Sequence, residues 1–351
     1  MDRNVKLLSF TSFLNDMSSE MIFPILPFFL SSLGANPALI GFAGGLIEGI
    51  SGLMKVFSGY VSDLLGKRKF FVLFGYSISQ ISKLGLSLSK TAFSAVAFLF
   101  FERSGKGIRT APRDALIAES AVKKGKAFGF HRAMDSFGAV LGALLAAYLF
   151  EIWCNERQII LVASLIGIVS VFPLIALKDK TNSRKPELNM RIKKYVLCSA
   201  LFGSANISYV FFLLRFGGNV FDALKMYALF SFVYALLSYP AGYISDKVGK
   251  RVVASSGYLF MFLSCILAYF TNLALITLGI FMALTDATQR SFAAEIAESY
   301  GFGIGAYQLV FGISALVANT AYGWMWNFNE NLAFFTAALL SIASAAVFLL
   351  V

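Results

Sequence analysis

One ten-residue string occurs twice in this chain. Gly59-Tyr60-Val61-Ser62-Asp63-Leu64-Leu65-Gly66-Lys67-Arg68 returns as Gly242-Tyr243-Ile244-Ser245-Asp246-Lys247-Val248-Gly249-Lys250-Arg251, identical at seven of ten positions and displaced by 183 residues in a chain of 351. A repeat spaced by about half the chain implies two copies of one structural unit, with the string in the same loop of each. Each copy follows one long apolar segment and precedes another. With 58% of residues hydrophobic and only 14% charged, the chain carries more apolar surface than a water-soluble fold can hide. Apolar runs of ~20 residues match the length of a bilayer-spanning helix. The expected class is therefore an all-α integral membrane protein.

Twelve apolar windows fall at 6–30, 38–62, 70–88, 92–118, 127–150, 158–177, 195–215, 220–244, 252–270, 273–297, 304–327 and 331–351. The longest polar stretch, Lys178 to Lys194, holds Pro186 and seven basic residues. It reads as a cytoplasmic linker at 178–194 between an N-terminal six-helix bundle at 1–177 and a pseudo-symmetric C-terminal one at 195–351. With the N-terminus inside, the inner segments hold 18 Lys and Arg and the outer ones four (Lys90, Arg157, Arg215 and Lys225). The positive-inside rule then places both termini in the cytoplasm. The net charge of +11 thus belongs to topology rather than to nucleic-acid binding. Asp16 and Glu20 interrupt the first apolar run, so no cleaved signal is expected. Cys154, Cys198 and Cys265 are odd in number and widely spaced, and His131 is the single histidine. No disulfide framework, metal site or cofactor is expected.

Charges inside spans are costly, so they should face an interior or a cavity. Spans 6, 9 and 12 contain none and span 3 only Lys83, which reads these four as the lipid-facing helices. Nearly all the rest lie in spans 1, 2, 4, 5 and 10: Asp16, Glu20, Glu48, Lys55, Glu102, Arg103, Lys106, Arg109, Arg132, Asp135, Asp286 and Arg290. Six acids and six bases suggest paired charges, and their concentration in the first half assigns it the coupling chemistry, against a more apolar second half. In span 4, Glu102, Lys106, Arg109 and Arg113 share one helical face. In span 1, Asp16 and Glu20 are four residues apart near mid-bilayer, a pattern suited to holding a proton. In span 5, Arg132 and His131 lie three and four residues before Asp135, and Gly138 and Gly142 permit close helix contact. Span 10 offers Asp286 and Arg290, and the repeat offset of 183 sets Asp286 opposite Arg103.

The block G-x-x-x-D-x-x-G-K-R, present in both halves, resembles the loop 2–3 signature of the major facilitator superfamily. By that resemblance Gly59, Asp63, Gly66, Lys67 and Arg68, with Gly242, Asp246, Gly249, Lys250 and Arg251, form a cytoplasmic gate whose charge relays close and break during transport. Leu99, Arg103 and Gly107 resemble the superfamily's span 4 motif L-x-x-x-R-x-x-q-G-x-g, which implies that Arg103 takes part in proton coupling. Lys106 stands where the motif has glutamine and Arg109 where it has glycine. The antiporter motif of span 5 ends in Gly-Pro, and here Gly142 precedes Ala143. The longer string R-x-G-K-G-x-R-x-x-P-R-D-A, Arg103 to Ala115, is similar to a poorly characterised prokaryotic group of these permeases.

The resemblance implies a secondary transporter that moves a small polar or charged solute across the cell membrane by alternating access, coupled to protons and working as a monomer. A multidrug-type proton antiporter is the alternative within this class, and a non-transporting receptor lies outside it. No nucleophile–base or metal-protease pattern points to an enzyme.

Overall fold

The computed structural model describes residues 1–23, 25–35, 37–153, 155–179, 189–216 and 220–350. The side chain of Glu48, the glycines at 41, 44, 45 and 49, and Cys154, Lys180, Arg184, Lys185, Pro186 and the Lys225 side chain lie outside what is described. Fifteen helices and no strand occur among the described residues: α1 Arg3–Ile22, α2 Leu26–Ser32, α3 Pro37–Leu65, α4 Arg68–Leu88, α5 Ala92–Ser120, α6 Lys124–Trp153, α7 Glu156–Val169, α8 Phe172–Ile175, α9 Met190–Ser204, α10 Tyr209–Phe216, α11 Val220–Val248, α12 Lys250–Leu267, α13 Ala274–Ile296, α14 Tyr300–Phe328 and α15 Glu330–Leu350. Taking α1 with α2, α7 with α8 and α9 with α10 gives the twelve expected spans. Pro27 stands in the first turn of α2 and Pro173 in that of α8, positions where a missing N–H costs nothing.

Local chemistry sets the helix starts. Thr91 and Ser94 form a capping box at α5, the Thr91 hydroxyl accepting from Ser94 N at 3.2 Å. Asn189 accepts from Ile192 N at 2.9 Å and starts α9 at Met190, inside the polar stretch, so Arg191, Lys193 and Lys194 are helical. With 29 residues α5 reaches about 43 Å, well beyond a ~30 Å hydrocarbon core. Among the described residues five helical segments are long and apolar enough to cross a membrane: Lys124–Trp153, Glu156–Ile175, Lys250–Leu267, Tyr300–Trp326 and Glu330–Leu350. α5 is not among them because of its charges.

The chain divides into two compact units, Met1–Ala121 with Met134–Pro186, and Val122–Ala133 with Glu187–Val351. In the first, α5 packs on α3 and α4, and α7 on α1 and α4. Met21, Phe29, Leu86, Leu99 and Ile159 belong to a core of mainly aliphatic side chains. Gly138 and Gly142 of α6 meet the Phe13 and Met17 carbonyls of α1, where a Cβ has no room, which is the close contact their spacing foretells. In the second unit α13 packs on α11 and α12, α12 on α15, and α9 on α14. Its core is aromatic: Tyr195, Phe202, Tyr258, Phe292 and Phe348, with Phe202 and Phe348 4.8 Å apart. Phe70, Phe74, Phe93, Phe270 and Trp324 are exposed, as bilayer-facing side chains are.

Candidate functional site

The first unit gathers charge between α1, α4 and α5. Glu102, Arg103 and Arg109 are each no more than 3% exposed. Arg103 Nε lies 2.7 Å from Glu102 Oε2, and its guanidinium sits 4.0 Å over the Phe23 ring. The Arg109 guanidinium lies 4.0 Å over Tyr76 and donates to Ser79 Oγ at 3.1 Å. One turn on, Arg113 donates to Asp114 Oδ1 at 3.0 and 2.9 Å and to Ser12 Oγ at 3.3 Å. Three buried arginines on one helix are thus each held by an acid, a ring or a hydroxyl, which offsets the several kcal/mol of desolvation per ion. Asp16, Glu20 and Lys106 are only half-buried. Asp135 of α6 is buried.

α4 contributes more than sequence suggested. Its outer face is lipid-like, with Phe70, Phe74, Ile81 and Leu88 exposed. Its inner face points Lys83, 1% exposed, at α1, where the ammonium donates to Ser18 Oγ at 3.0 Å and Ser19 Oγ at 2.9 Å. Gln80 donates to Asn15 Oδ1 at 2.7 Å, and Asn15 donates to Asp16 Oδ1 at 2.9 Å. Gln80 and Lys83 therefore hold the polar face of α1 and orient Asp16. Ser79 and Ser82 of α4 were the available signal: with Gln80 and Lys83 they show that the inner face of this helix is polar.

In the second unit Arg132, Tyr234, Asp286 and Arg290 form one cluster. Asp286 Oδ2 is 2.6 Å from Arg132 Nε and accepts from Tyr234 Oη at 2.5 Å, while its Oδ1 accepts from Arg290 Nε at 2.8 Å. Arg132 Nε also donates to Tyr234 Oη. Tyr234 carried no sequence signal beyond its place on an inward helix face. Deeper in this unit Gln289 donates to Tyr258 Oη at 2.7 Å, accepts from Tyr307 Oη at 2.5 Å, and its carbonyl accepts from Tyr195 Oη at 3.3 Å. His131 is buried.

The repeated loop takes the same turn twice, with a one-residue difference. Gly66 has φ +65° and Gly249 φ +111°, the left-handed region open to glycine, which explains its recurrence. Two residues separate α3 from α4, and one separates α11 from α12. The first helical base is therefore Arg68 in one copy and Lys250 in the other. Arg68 Nη2 reaches Asp63 at 2.6 Å and Glu119 at 3.0 Å; Lys250 reaches Asp246 at 3.2 Å and Glu295 at 2.7 Å. Lys67 and Arg251 are exposed, Arg251 lying 5.9 Å from the Phe292 ring. Asp246 also accepts from the backbone N–H of Gly125 at 2.9 Å and of Lys126 at 2.7 Å, capping the first turn of α6. Gly59 is buried in α3, and Gly242 faces Gly125 and Gly129 so closely that a Cβ there has no room.

The same frame corrects the pairing of Asp286 with Arg103. Gly75 packs on Gly105 and Arg109, and Gly257 on Phe281 and Thr285. This sets α4 against α12 at an offset of 182 and α5 against α13 at 176, so Asp286 corresponds to Thr110 and Arg103 to Gly279. The offset drifts because the second copy is shorter in the loop after Asp246 and in α13.

The family model for the Major Facilitator Superfamily matches residues 8–318 and 196–351. An uncharacterised MFS-type transporter of Methanocaldococcus jannaschii is 38% identical over 379 residues, spanning 100% of this chain and 95% of that protein. The multidrug resistance protein MdtH of Proteus mirabilis is 22% identical over 343 residues, covering 89% and 84%. Among solved structures, the human organic anion transporter TETRAN superimposes with a TM-score of 0.81 at 16% identity, covering 99% of both chains. The E. coli fucose:proton symporter FucP gives 0.78 at 13% identity, covering 99% and 97%. At such identities these two likenesses speak for the twelve-helix fold alone. The family match and the full-length relative agree with the repeated loop, and the chain belongs to the Major Facilitator Superfamily of multi-pass membrane transporters, not to a family of enzymes.

Proposed function

We propose that this chain is a proton-coupled secondary transporter of a small polar or charged solute, working by alternating access in the cell membrane as a monomer. Both termini are cytoplasmic, six-helix bundles at 1–177 and 195–351 are joined by the linker at 178–194, and the string Arg103 to Ala115 marks a prokaryotic subgroup of the superfamily. The observation that carries this reading is the inward-turned charge of the first unit, where Glu102, Arg103 and Arg109 are buried beside half-buried Asp16, Glu20 and Lys106. Lipid-facing charge would be expelled at about 2.5–3.5 kcal/mol each, so such a stripe persists where it meets a polar path. Asp16 and Glu20 act as the proton-coupling carboxylates. Glu48, Glu102, Arg103, Lys106, Arg109, Arg132, Asp135, Asp286 and Arg290 take part in coupling or solute binding, and the two repeated loops act as the cytoplasmic gate.

The test is proton flux into proteoliposomes. Asp16→Asn and Glu20→Gln are expected to uncouple transport from pH, and unchanged pH dependence in both variants would remove span 1 from the coupling role. A multidrug antiporter remains a second reading, favoured by the MdtH relatives. It predicts proton flux stimulated by lipophilic cations.

A further inference from the structure

Three charged heads in the first unit stand apart from the rest. Among the described residues, Glu20 and Lys106 make no ion pair and no side-chain hydrogen bond, and Asp16 accepts only from its neighbour Asn15. The surrounding charges are already engaged: Arg103 with Glu102, Arg109 with Tyr76 and Ser79, Arg113 with Asp114, and Lys83 with Ser18 and Ser19. All three heads are half-buried, whereas the engaged ones are buried. Arg103 of α5 sits over Phe23 at the end of α1 and Arg113 donates to Ser12, so the two helices run antiparallel and Lys106, between those two arginines, lies alongside Asp16 and Glu20.

We infer that this trio is a two-ended solute site, with Asp16 and Glu20 holding an ammonium group and Lys106 holding an anionic group of the same molecule. The inference rests on the transport reading above and names its substrate class. Asp16 and Glu20 are four residues apart on α1, so both carboxylates present to one face, and an ammonium has three donors to share between them. Lys106 enters from α5 and supplies the opposite charge. A simple cation would meet the Lys106 ammonium, and a simple anion would meet two carboxylates. A molecule with both charges satisfies all three heads and replaces the water that each loses on closure. Lys106, which stands where the superfamily motif has glutamine, is then the specificity residue. Gln80 and Lys83, by fixing Asn15 and Ser18–Ser19, keep Asp16 aimed without touching the solute.

The experiment uses the full chain purified in detergent and a panel of the twenty common amino acids and the linear ω-amino acids from glycine to 6-aminohexanoate. Alkylamines and alkylcarboxylates of matched length serve as single-charge controls. Thermal shift is read first, then counterflow of the best compound in proteoliposomes, with ethidium as an independent transport probe. At least one zwitterion should stabilise the protein at a concentration tenfold or more below both of its matched controls. Lys106→Met should erase that advantage over the alkylamine, and Asp16→Asn or Glu20→Gln the advantage over the alkylcarboxylate. Lys106→Gln, which restores the superfamily residue, is the second variant should Lys106→Met fail to fold. Controls as potent as the zwitterions, or variants with undiminished response, overturn the inference. So does a silent panel beside active ethidium counterflow, which keeps a transporter but moves its substrate to the multidrug reading. Absence of any counterflow overturns both.

Discussion

The two units are built on one plan and filled with opposite chemistry. With the structural offsets of 182 and 176, Lys83, Glu102, Arg103, Lys106, Arg109 and Arg113 of the first unit correspond to Cys265, Leu278, Gly279, Met282, Thr285 and Gln289 of the second. Six charged positions are neutral in the other copy. Tyr76 and Tyr258 are counterparts, one stacked on a guanidinium and the other bonded to an amide. The ring is retained while its partner changes, so the helix framework tolerates either filling. Charge in the first unit is therefore a local choice rather than a requirement of the fold. That separation is why the coupling chemistry is assigned to the first unit and a mainly structural role to the aromatic core of the second.

The sharpest way to break this comparison is to carry charge across it. Gln289→Arg places a guanidinium among Tyr195, Tyr258 and Tyr307 with no acid to meet it, and should cost about 3–5 kcal/mol, read as loss of folded protein on thermal unfolding. Next comes the repeated loop. Arg68 and Asp63 are fully buried, so Arg68→Ala should destabilise by about 3–5 kcal/mol. Lys250 meets a Glu295 that is 56% exposed, and Lys250→Ala should cost about 1 kcal/mol or less. Equal losses at the two sites would contradict the asymmetry. Gln289→Leu removes the amide that bridges the Tyr258 and Tyr307 hydroxyls and should cost about 1–3 kcal/mol while leaving transport coupling intact. The smallest effects distinguish the glycines. Gly142→Ala meets the Met17 carbonyl and should cost about 1–3 kcal/mol, whereas Gly312→Ala on α14 meets nothing and should gain about 0.5–1 kcal/mol.

The fold was legible because a bilayer simplifies sequence: apolar length counts spans, and a repeated loop fixes the half-period. The break within span 1 was signalled only by Pro24 and Pro27, which an apolar window does not register. Charged stripes pointed to α1, α5 and α13, since charge in a span has few places to go. Lys83 and Gln80 were missed because a helix judged by its apolar residues hides a polar inner face made of serines. The pairing of Asp286 with Arg103 failed because the second copy is one residue shorter in the repeated loop and six residues shorter again by α13, so the offset falls from 183 to 182 and then to 176. Tyr234 and Tyr307 were silent because tyrosine is common in apolar spans, and its hydroxyl partner is set by tertiary packing. In the repeat Lys67 matches Lys250 and Arg68 matches Arg251, but the second helix begins one residue apart in the two copies, which gives the ion-paired role to Arg68 in one and Lys250 in the other.

Proton flux in proteoliposomes, measured for wild type, Asp16→Asn, Glu20→Gln and Gln289→Leu across a range of external pH, tests the assignment of coupling to the first unit most directly. Flux that loses its pH dependence in at least one of the two α1 variants, and keeps it in Gln289→Leu, is the result expected. Unaltered pH dependence in both α1 variants, or its loss in Gln289→Leu alone, would contradict the division of labour between the two units.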